Sequence, residues 1–363
     1  MRGMETRRDD AAPPAGAPLV GVIANPVSAR DIRRVIANAT SLQIADRANI
    51  VLRILACLHH FGIGRVVMMP DTGGVRSHVK RGLHQSANRG DGRFPAVEWL
   101  DMAVTATADD SIEAARRMAA MGVAVIVVLG GDGTHRAVAS ACGRVPIAGV
   151  STGTNNAFPD TREATVTGLA VGLAAAGLVP AEVAFRPNKR LEVTVAGRTE
   201  TALVDVAVVA ERYIGARALW RTEGFRELFV TFGDPRTIGM SAIAGLSAPV
   251  DREAPFGRHL RFADPAHAER VLHAPIAPGL ILPVGIDAIT RLDPDRPVRV
   301  MAEAGSLAFD GEREIAFTAA DAPTVTLRTD AFRTVDVEAC MAHAAAEGLF
   351  FDRMRAPAAN TSA

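Results

Sequence analysis

Gly130, Gly131, Asp132, Gly133 and Thr134 put one carboxylate among three glycines, with a hydroxyl at the end of the run. Glycine backbone can take φ > 0 and bring bare N–H groups against a ligand, and Thr134 is a candidate cap for a helix running to about Cys142. Unpaired amides and the positive end of such a helix make the turn an anion site. A carboxylate there adds negative charge where phosphate would sit. Asp132 makes sense if it takes a proton from an attacking hydroxyl or holds Mg2+ against phosphates, both parts of phosphoryl transfer. The plainer alternative is a tight turn with the aspartate as a local cap. No Gly-Lys-Ser/Thr follows, so the run is not a Walker A loop, and Arg136 stands where the third glycine of a Rossmann fingerprint belongs.

The turn is carried by Val123 to Leu129, seven apolar and mostly β-branched residues without alternation, the pattern of a strand buried on both faces of a parallel sheet. Leu19 to Ala24 is a second such strand, ended at Asn25-Pro26, and Ser28, Arg30 and Asp31 open a helix behind it. Ile44, Ala48, Val51, Leu55 and Leu58 mark an amphipathic helix closed by Gly62. Strand Val66 to Met69 follows, and Asp71-Thr72-Gly73-Gly74 opens a helix to about His84, as a second and weaker phosphate or ribose candidate. Residues 86–95 read as loop, Ala96 to Leu100 as strand, Thr107 to Met121 as a helix capped by Thr107, and Val145 to Val150 as another buried strand. This alternation predicts an α/β fold with a doubly wound parallel sheet, whose ligands sit beyond the strand C-termini. Three candidate loops, 25–31, 130–134 and 151–156, fall at such ends. Ser151 to Asn156 is small and polar throughout; Asn155 and Asn156 suit a base or ribose, or simply an Asn-rich turn.

An Ala/Gly-rich helix is expected at about Thr165 to Ala176, and beyond Pro180 the pattern changes. Leu191, Val193 and Val195 alternate with polar residues, turn at Gly197-Arg198 and return over Thr201 to Val209, a hairpin. A helix is predicted from Gly215 to about Val230, and small residues crowd Ile238 to Gly245, including Ser241. Short strands between Arg258 and Arg328 suggest an antiparallel β-sandwich-like domain. Asp310-Gly311-Glu312 within it also reads as an ordinary hairpin turn. Asp336 to Gly348 reads as a helix docking back onto the first domain. The expected organisation is a disordered leader over 1–17, a Rossmann-like nucleotide-binding domain over 18–180, a β-rich substrate domain over 181–330 and a returning C-terminal segment over 331–363.

At 363 residues and 48% hydrophobic, the chain can bury large cores. Lys plus Arg and Asp plus Glu are 40 each, so no overall field draws nucleic acid or an anionic membrane. Cys57, Cys142 and Cys340 are scattered in no metal-ligand pattern, which points to reduced thiols and a cytoplasmic setting. The leader lacks an apolar core, and no stretch of about 18 residues stays apolar enough to span a membrane.

Gly-Gly-Asp-Gly-Thr after a hydrophobic strand resembles the signature of the superfamily that joins NAD kinases with diacylglycerol and sphingosine kinases. Asn25-Pro26-Val27-Ser28 resembles its Asn-Pro-x-Ser-Gly loop, Gly153-Thr154-Asn155-Asn156 its Gly-Thr-x-Asn loop, and Asp310-Gly311-Glu312 the late Asp-Gly-Glu motif of the lipid kinases. Over the whole chain the likeness is to the acetoin catabolism protein X group. The resemblance implies an ATP- and Mg2+-dependent kinase acting on small-molecule nucleotides, expected as a homo-oligomer. Asp132 is then the catalytic residue. Asn25, Ser28, Gly130, Gly131, Gly133, Thr134, Gly153, Thr154 and Asn155 would hold the nucleotide, Asn156, Asp205 and Ser241 the acceptor, and Asp310 and Glu312 would handle metal or protons. Ala29 replaces a glycine of the family pattern, and Val204 replaces the asparagine of the Ala-Leu-Asn-Glu/Asp segment that contacts the dinucleotide in NAD kinases. NAD(H) or a related acceptor is the first reading. A non-catalytic nucleotide-sensing regulator linked to acetoin catabolism and a lipid-type kinase are the alternatives.

Overall fold

A computed structural model describes residues 17–26, 42–152, 156–159, 162–210, 222–311 and 313–351. Ser28, Gly153, Thr154, Asn155 and Glu312 lie outside these residues, as do Ala29 and most of the expected helix start at 215.

The N-terminal half alternates β1 (Leu19–Ala24), α1 (Ile44–His60), β2 (Arg65–Met68), α2 (Val75–Arg89), β3 (Ala96–Trp99), α3 (Ala108–Ala120), β4 (Val125–Gly130), α4 (Asp132–Ala139), β5 (Ile147–Ser151) and α5 (Ala164–Ala175). A one-turn helix α6 (Ala181–Ala184) leads into β6 (Phe185–Val195) and β7 (Arg198–Ala202). The chain then runs β8 (Asp205–Val209), β9 (Phe225–Val230), α7 (Met240–Ser247), β10 (Gly257–Ala263), β11 (Arg270–Ala277) and β12 (Leu280–Leu292). It closes with β13 (Val298–Arg299), β14 (Gly305–Phe309), β15 (Arg313–Phe317), β16 (Thr324–Val335) and α8 (Val337–Ala346).

The first sheet has the order β3-β2-β1-β4-β5-β16-β6-β7, and β1 to β5 pair in parallel. All six residues of β4 are buried, as its unbroken apolar run requires. Val125, Val127 and Leu129 face one core with α1, α5 and α8, while Ile126 and Val128 face another with α3 and α4. Helices on both faces make the sheet doubly wound. The strand order reverses between β1 and β4, which puts a crevice at their C-terminal ends. The second sheet is antiparallel, with order β11-β12-β10-β9-β8-β14-β15. One of its faces packs on α7. The other meets Leu191, Val193, Val195, Val325 and Leu327 of the first sheet in a shared core.

Several local expectations are corrected. The first sheet runs on past residue 180, because β6, β7 and β16 extend it, and the chain crosses to the second sheet at 202–205. Residues Phe225–Val230 form an interior strand paired with β8 and β10 rather than a helix end. The misreading has a physical cause, because Glu227 looks like a solvent position yet is buried. One of its carboxylate oxygens accepts the backbone N–H groups of Met301 and Ala302, and the other meets His259 Nε2 at 2.9 Å. The helix opened after Gly74 continues to Arg89, through the first four residues of the expected loop.

Candidate active site

Asn25 follows β1 and Gly131 follows β4, so the two loops meet where the strand order reverses. The Asn25 backbone N–H donates to the Leu129 carbonyl at 3.1 Å, and its side-chain amide donates to Thr134 Oγ1 at 3.1 Å. Thr134 therefore lies inside α4 and bridges to the first loop; the helix begins at Asp132, with Gly131 as its N-cap. Gly130, Gly131 and Gly133 are not among the residues with positive φ. Close approach explains Gly130 instead, since a Cβ there would stand 2.5 Å from the Thr134 Cβ. His135 sits beneath the turn, wholly buried, with Nδ1 2.8 Å from the Gly131 carbonyl. Burial lowers its pKa to about 4, so the ring is neutral at physiological pH.

Sequence reading missed Arg47. It lies on the apolar stripe of α1, one turn before Val51, and only 2% of it is exposed. Its guanidinium donates to the Asn25 carbonyl at 3.1 Å and to Thr152 Oγ1 at 3.0 Å, tying the loop after β1 to the loop after β5. An arginine on an otherwise apolar helix face was the available signal. It brings a buried cation to the crevice.

Asp132 is 7% exposed, and both of its oxygens accept backbone amides, from Ala157 and from Phe158 at 2.9 Å each. The carboxylate thereby clamps the 156–159 loop onto the start of α4, where the helix dipole favours a negative group. Asn156 lies in that loop and donates to Ser151 Oγ at 2.9 Å.

Asp310 reaches the same neighbourhood from the second sheet. Its Oδ1 accepts the N–H groups of Leu203, Val204 and Asp205 at 3.1, 2.9 and 3.2 Å. Arg136, one turn along α4 from Asp132, comes within 3.6 Å of Oδ2 and donates to the Phe309 carbonyl. Burial pushes the Asp310 carboxyl up in pKa, while Arg136 and the three amides pull against it. Asp310 thus ties the sheet crossing to α4. Asp205 begins β8, is buried, and its carbonyl accepts the Asp310 N–H. Val204 is 1% exposed, packed with Val138 of α4 and Phe158. Its place is a core position, so an apolar side chain suits it.

A cleft of about 660 Å³ opens beside this cluster, between Asn156, Ala157, Pro159 and Arg162 on one side and residues 232–253 on the other. Arg252 spans the two walls: it lies 4.0 Å from the Phe232 ring centre and donates to the Ala157 carbonyl at 2.7 Å. One peptide therefore joins Asp132 to the cleft. Ser241 is 1% exposed on α7 and reaches the cleft only through Thr237, 3.4 Å away. The candidate turn at 71–74 is occupied by its own acid: Asp71 accepts the N–H groups of Gly74, Val75 and Arg76 and caps α2. A helix start filled by a carboxylate is no phosphate site.

For ATP and Mg2+, the described residues offer the first-turn amides of α4, a buried arginine and one carboxylate at the crevice. No group of three or more His, Cys, Asp and Glu placed to hold a metal occurs among the described residues. This donor set fits a magnesium ion that arrives on nucleotide phosphates, which is the usual way Mg2+ is held, better than a resident metal cage.

Comparison with known proteins agrees with this two-part construction. The ATP-NAD kinase N-terminal domain matches residues 20–177, and the acetoin catabolism protein X C-terminal domain matches residues 189–330. Residues 20–177 are thus a domain of the ATP-NAD kinase N-terminal class. Acetoin catabolism protein X of Cupriavidus necator is 54% identical over 334 residues, covering 90% of this chain and 92% of the relative. The chain belongs to the acetoin catabolism protein X family. A Bacillus anthracis protein solved as a candidate diacylglycerol kinase aligns over 88% of this chain and 97% of its own, at 13% identity and a TM-score of 0.44. No helix among the described residues is long and apolar enough to cross a membrane.

Proposed function

We propose that the protein is an ATP-dependent phosphotransferase, with the nucleotide phosphates over the 130–134 turn and an acceptor hydroxyl presented from the interdomain cleft. The observation that carries this is the meeting of the Asn25 loop, the glycine turn and Arg47 at the point where strand order reverses. Asn25, Gly130, Gly131, Gly133 and Thr134 form the phosphate cradle in this reading, joined by Ser28, Gly153, Thr154 and Asn155, while Asn156, which lines the cleft, and the buried Asp205 are proposed for the acceptor. The acceptor oxygen forms a bond to the γ-phosphorus, the bond to the β-phosphate oxygen breaks, and ADP leaves with that electron pair. Magnesium, when bound with the nucleotide, supplies charge neutralisation on the transferring group. Asp132 holds the loop that joins cradle to cleft and is the proposed acceptor of the hydroxyl proton. NAD or NADH is the first acceptor to test, and the cytoplasm is the proposed compartment.

The engagement of both Asp132 oxygens by backbone amides supports a second reading, a nucleotide sensor without turnover that works in acetoin catabolism. Incubation with MgATP and a panel of NAD, NADH, diacylglycerol and sphingoid bases separates the two. A phosphorylated product made by the wild type and lost in Asp132→Asn, with the variant still folded and still binding ATP despite the donor its amide places against a loop N–H, supports the kinase. Saturable ATP binding with no product on any acceptor favours the sensor.

A further inference from the structure

The cleft has an ordered distribution of charge. Arg162, Arg186 and Arg252 are half-buried in its walls and Asp251, Glu253 and Glu338 stand exposed at its rim, while the half-buried Asp234 is taken up by the exposed Arg236 at 2.7 Å. Each of the first two arginines has a rim carboxylate as partner: Arg162 meets Glu338 at 2.9 Å, and Arg186 meets Glu253 at 3.5 Å. Those glutamate side chains are 83% and 63% exposed, so water competes for them and each contact is weak. The arginines are 24% and 25% exposed and held on folded elements. Arg186 starts β6 and also approaches Asp336 at 3.8 Å, ahead of α8. Arg252 is fixed by stacking on Phe232 and by the Ala157 carbonyl.

The loop bearing Arg252 is pinned from below. Lys189, 6% exposed on β6, donates to the carbonyls of Asp251, Ala254 and Phe256 at 3.0, 2.7 and 2.8 Å. Preorganised guanidinium groups whose counter-ions are partly exposed form a receptor for an oxyanion, because planar N–H pairs match carboxylate or phosphate oxygens and the ligand competes with the exposed Glu253 and Glu338 while contacts such as Arg252 with the Ala157 carbonyl stay in place. An acyl chain fits poorly: eight of the seventeen lining residues are charged, and covering them with hydrocarbon would strip them of water.

We infer that the cleft recognises the terminal oxyanion, phosphate ester or carboxylate, of a small polar hydroxy compound, which on the phosphotransferase reading is the acceptor. The inference rests on that reading for the ligand's role, but binding itself can be tested without turnover.

The test is calorimetric titration of the full chain with glycerol 3-phosphate, malate and, as the neutral counterpart, glycerol, in the presence of a saturating non-hydrolysable ATP analogue. One or both charged probes should bind with 1:1 stoichiometry, and glycerol should not. Binding should weaken about tenfold or more in Arg186→Gln and Arg252→Gln, since each loses charge-assisted hydrogen bonds. Glu253→Gln should tighten it, because a competing partner is removed. The arm that binds tells phosphate ester from carboxylate. If Arg252→Gln melts early, Arg162→Gln takes its place, as its partner Glu338 is already in solvent. Charged probes no better than glycerol, or affinities unmoved by all three arginine variants, would overturn the inference. A protein that binds the charged probes in this arginine-dependent way but no nucleotide upholds the cleft and removes the phosphotransferase reading.

Discussion

Asp310→Asn separates a scaffold carboxylate from one reserved for chemistry. The residue has φ 48°, a conformation asparagine tolerates at least as well as aspartate, so the exchange adds no backbone strain. The oxygen of the introduced amide can keep the three N–H groups that converge on Oδ1. Its NH2 must then take the Oδ2 position, where it faces Arg136 at 3.6 Å and the Leu203 N–H at 3.2 Å, donor against donor. Breaking a buried ion pair costs about 3–5 kcal/mol, and Arg136 recovers part of that because it is 16% exposed and keeps the Phe309 carbonyl. About 3 kcal/mol of destabilisation is therefore expected, read as a lower urea midpoint at unchanged slope. A double-mutant cycle with Arg136→Met should return a coupling of about 1–3 kcal/mol. If Asp310→Asn unfolds within about 0.5 kcal/mol of wild type, the scaffold argument fails and the carboxylate is held for metal or proton handling, as first read from the Asp-Gly-Glu motif.

Gly130→Ala should cost about 1–3 kcal/mol and loosen nucleotide binding, because the new methyl meets the Thr134 Cβ on a helix rather than a movable side-chain end; unchanged melting and affinity would contradict the close-approach argument. Burial lowers the Lys189 pKa from 10.5 to about 8, so the unfolded chain binds the extra proton between those values. Wild type should accordingly gain stability over Lys189→Met as pH rises from about 8 to 10.5, measured by urea unfolding at each pH, and a flat difference would refute it. His135 has the same sign at lower pH: its folded pKa of about 4 lies below the ordinary 6.5, so stability present above 6.5 should drain away as pH falls toward 4. His135→Gln should show a shallower acid limb.

The strand-and-turn core was legible because a parallel strand buried on both faces must be apolar throughout, and Val123 to Leu129 meets that condition with no help from distant residues. Helix limits at Thr107 and Gly62 were equally local, set by a hydroxyl cap and a left-handed stop. Buried polar residues broke the reading. Glu227 disguised a strand because its partners, His259, Met301 and Ala302, lie far along the chain. Arg47 was hidden in an amphipathic helix, since nothing near it in sequence says that the helix face meets Asn25 and Thr152. The Asp71 turn looked like an open anion site until the carboxylate was seen to fill it.

By itself the sequence determined the alternating βα units, the glycine turn at a strand tip and the family likeness, because these depend on residue types at short spacing. Tertiary structure decided which carboxylates are committed to backbone amides, which arginines converge on one cleft, and that the chain changes sheets at 202–205. Those depend on contacts between residues tens to hundreds of positions apart, and no periodicity encodes what a buried polar group will meet across a core.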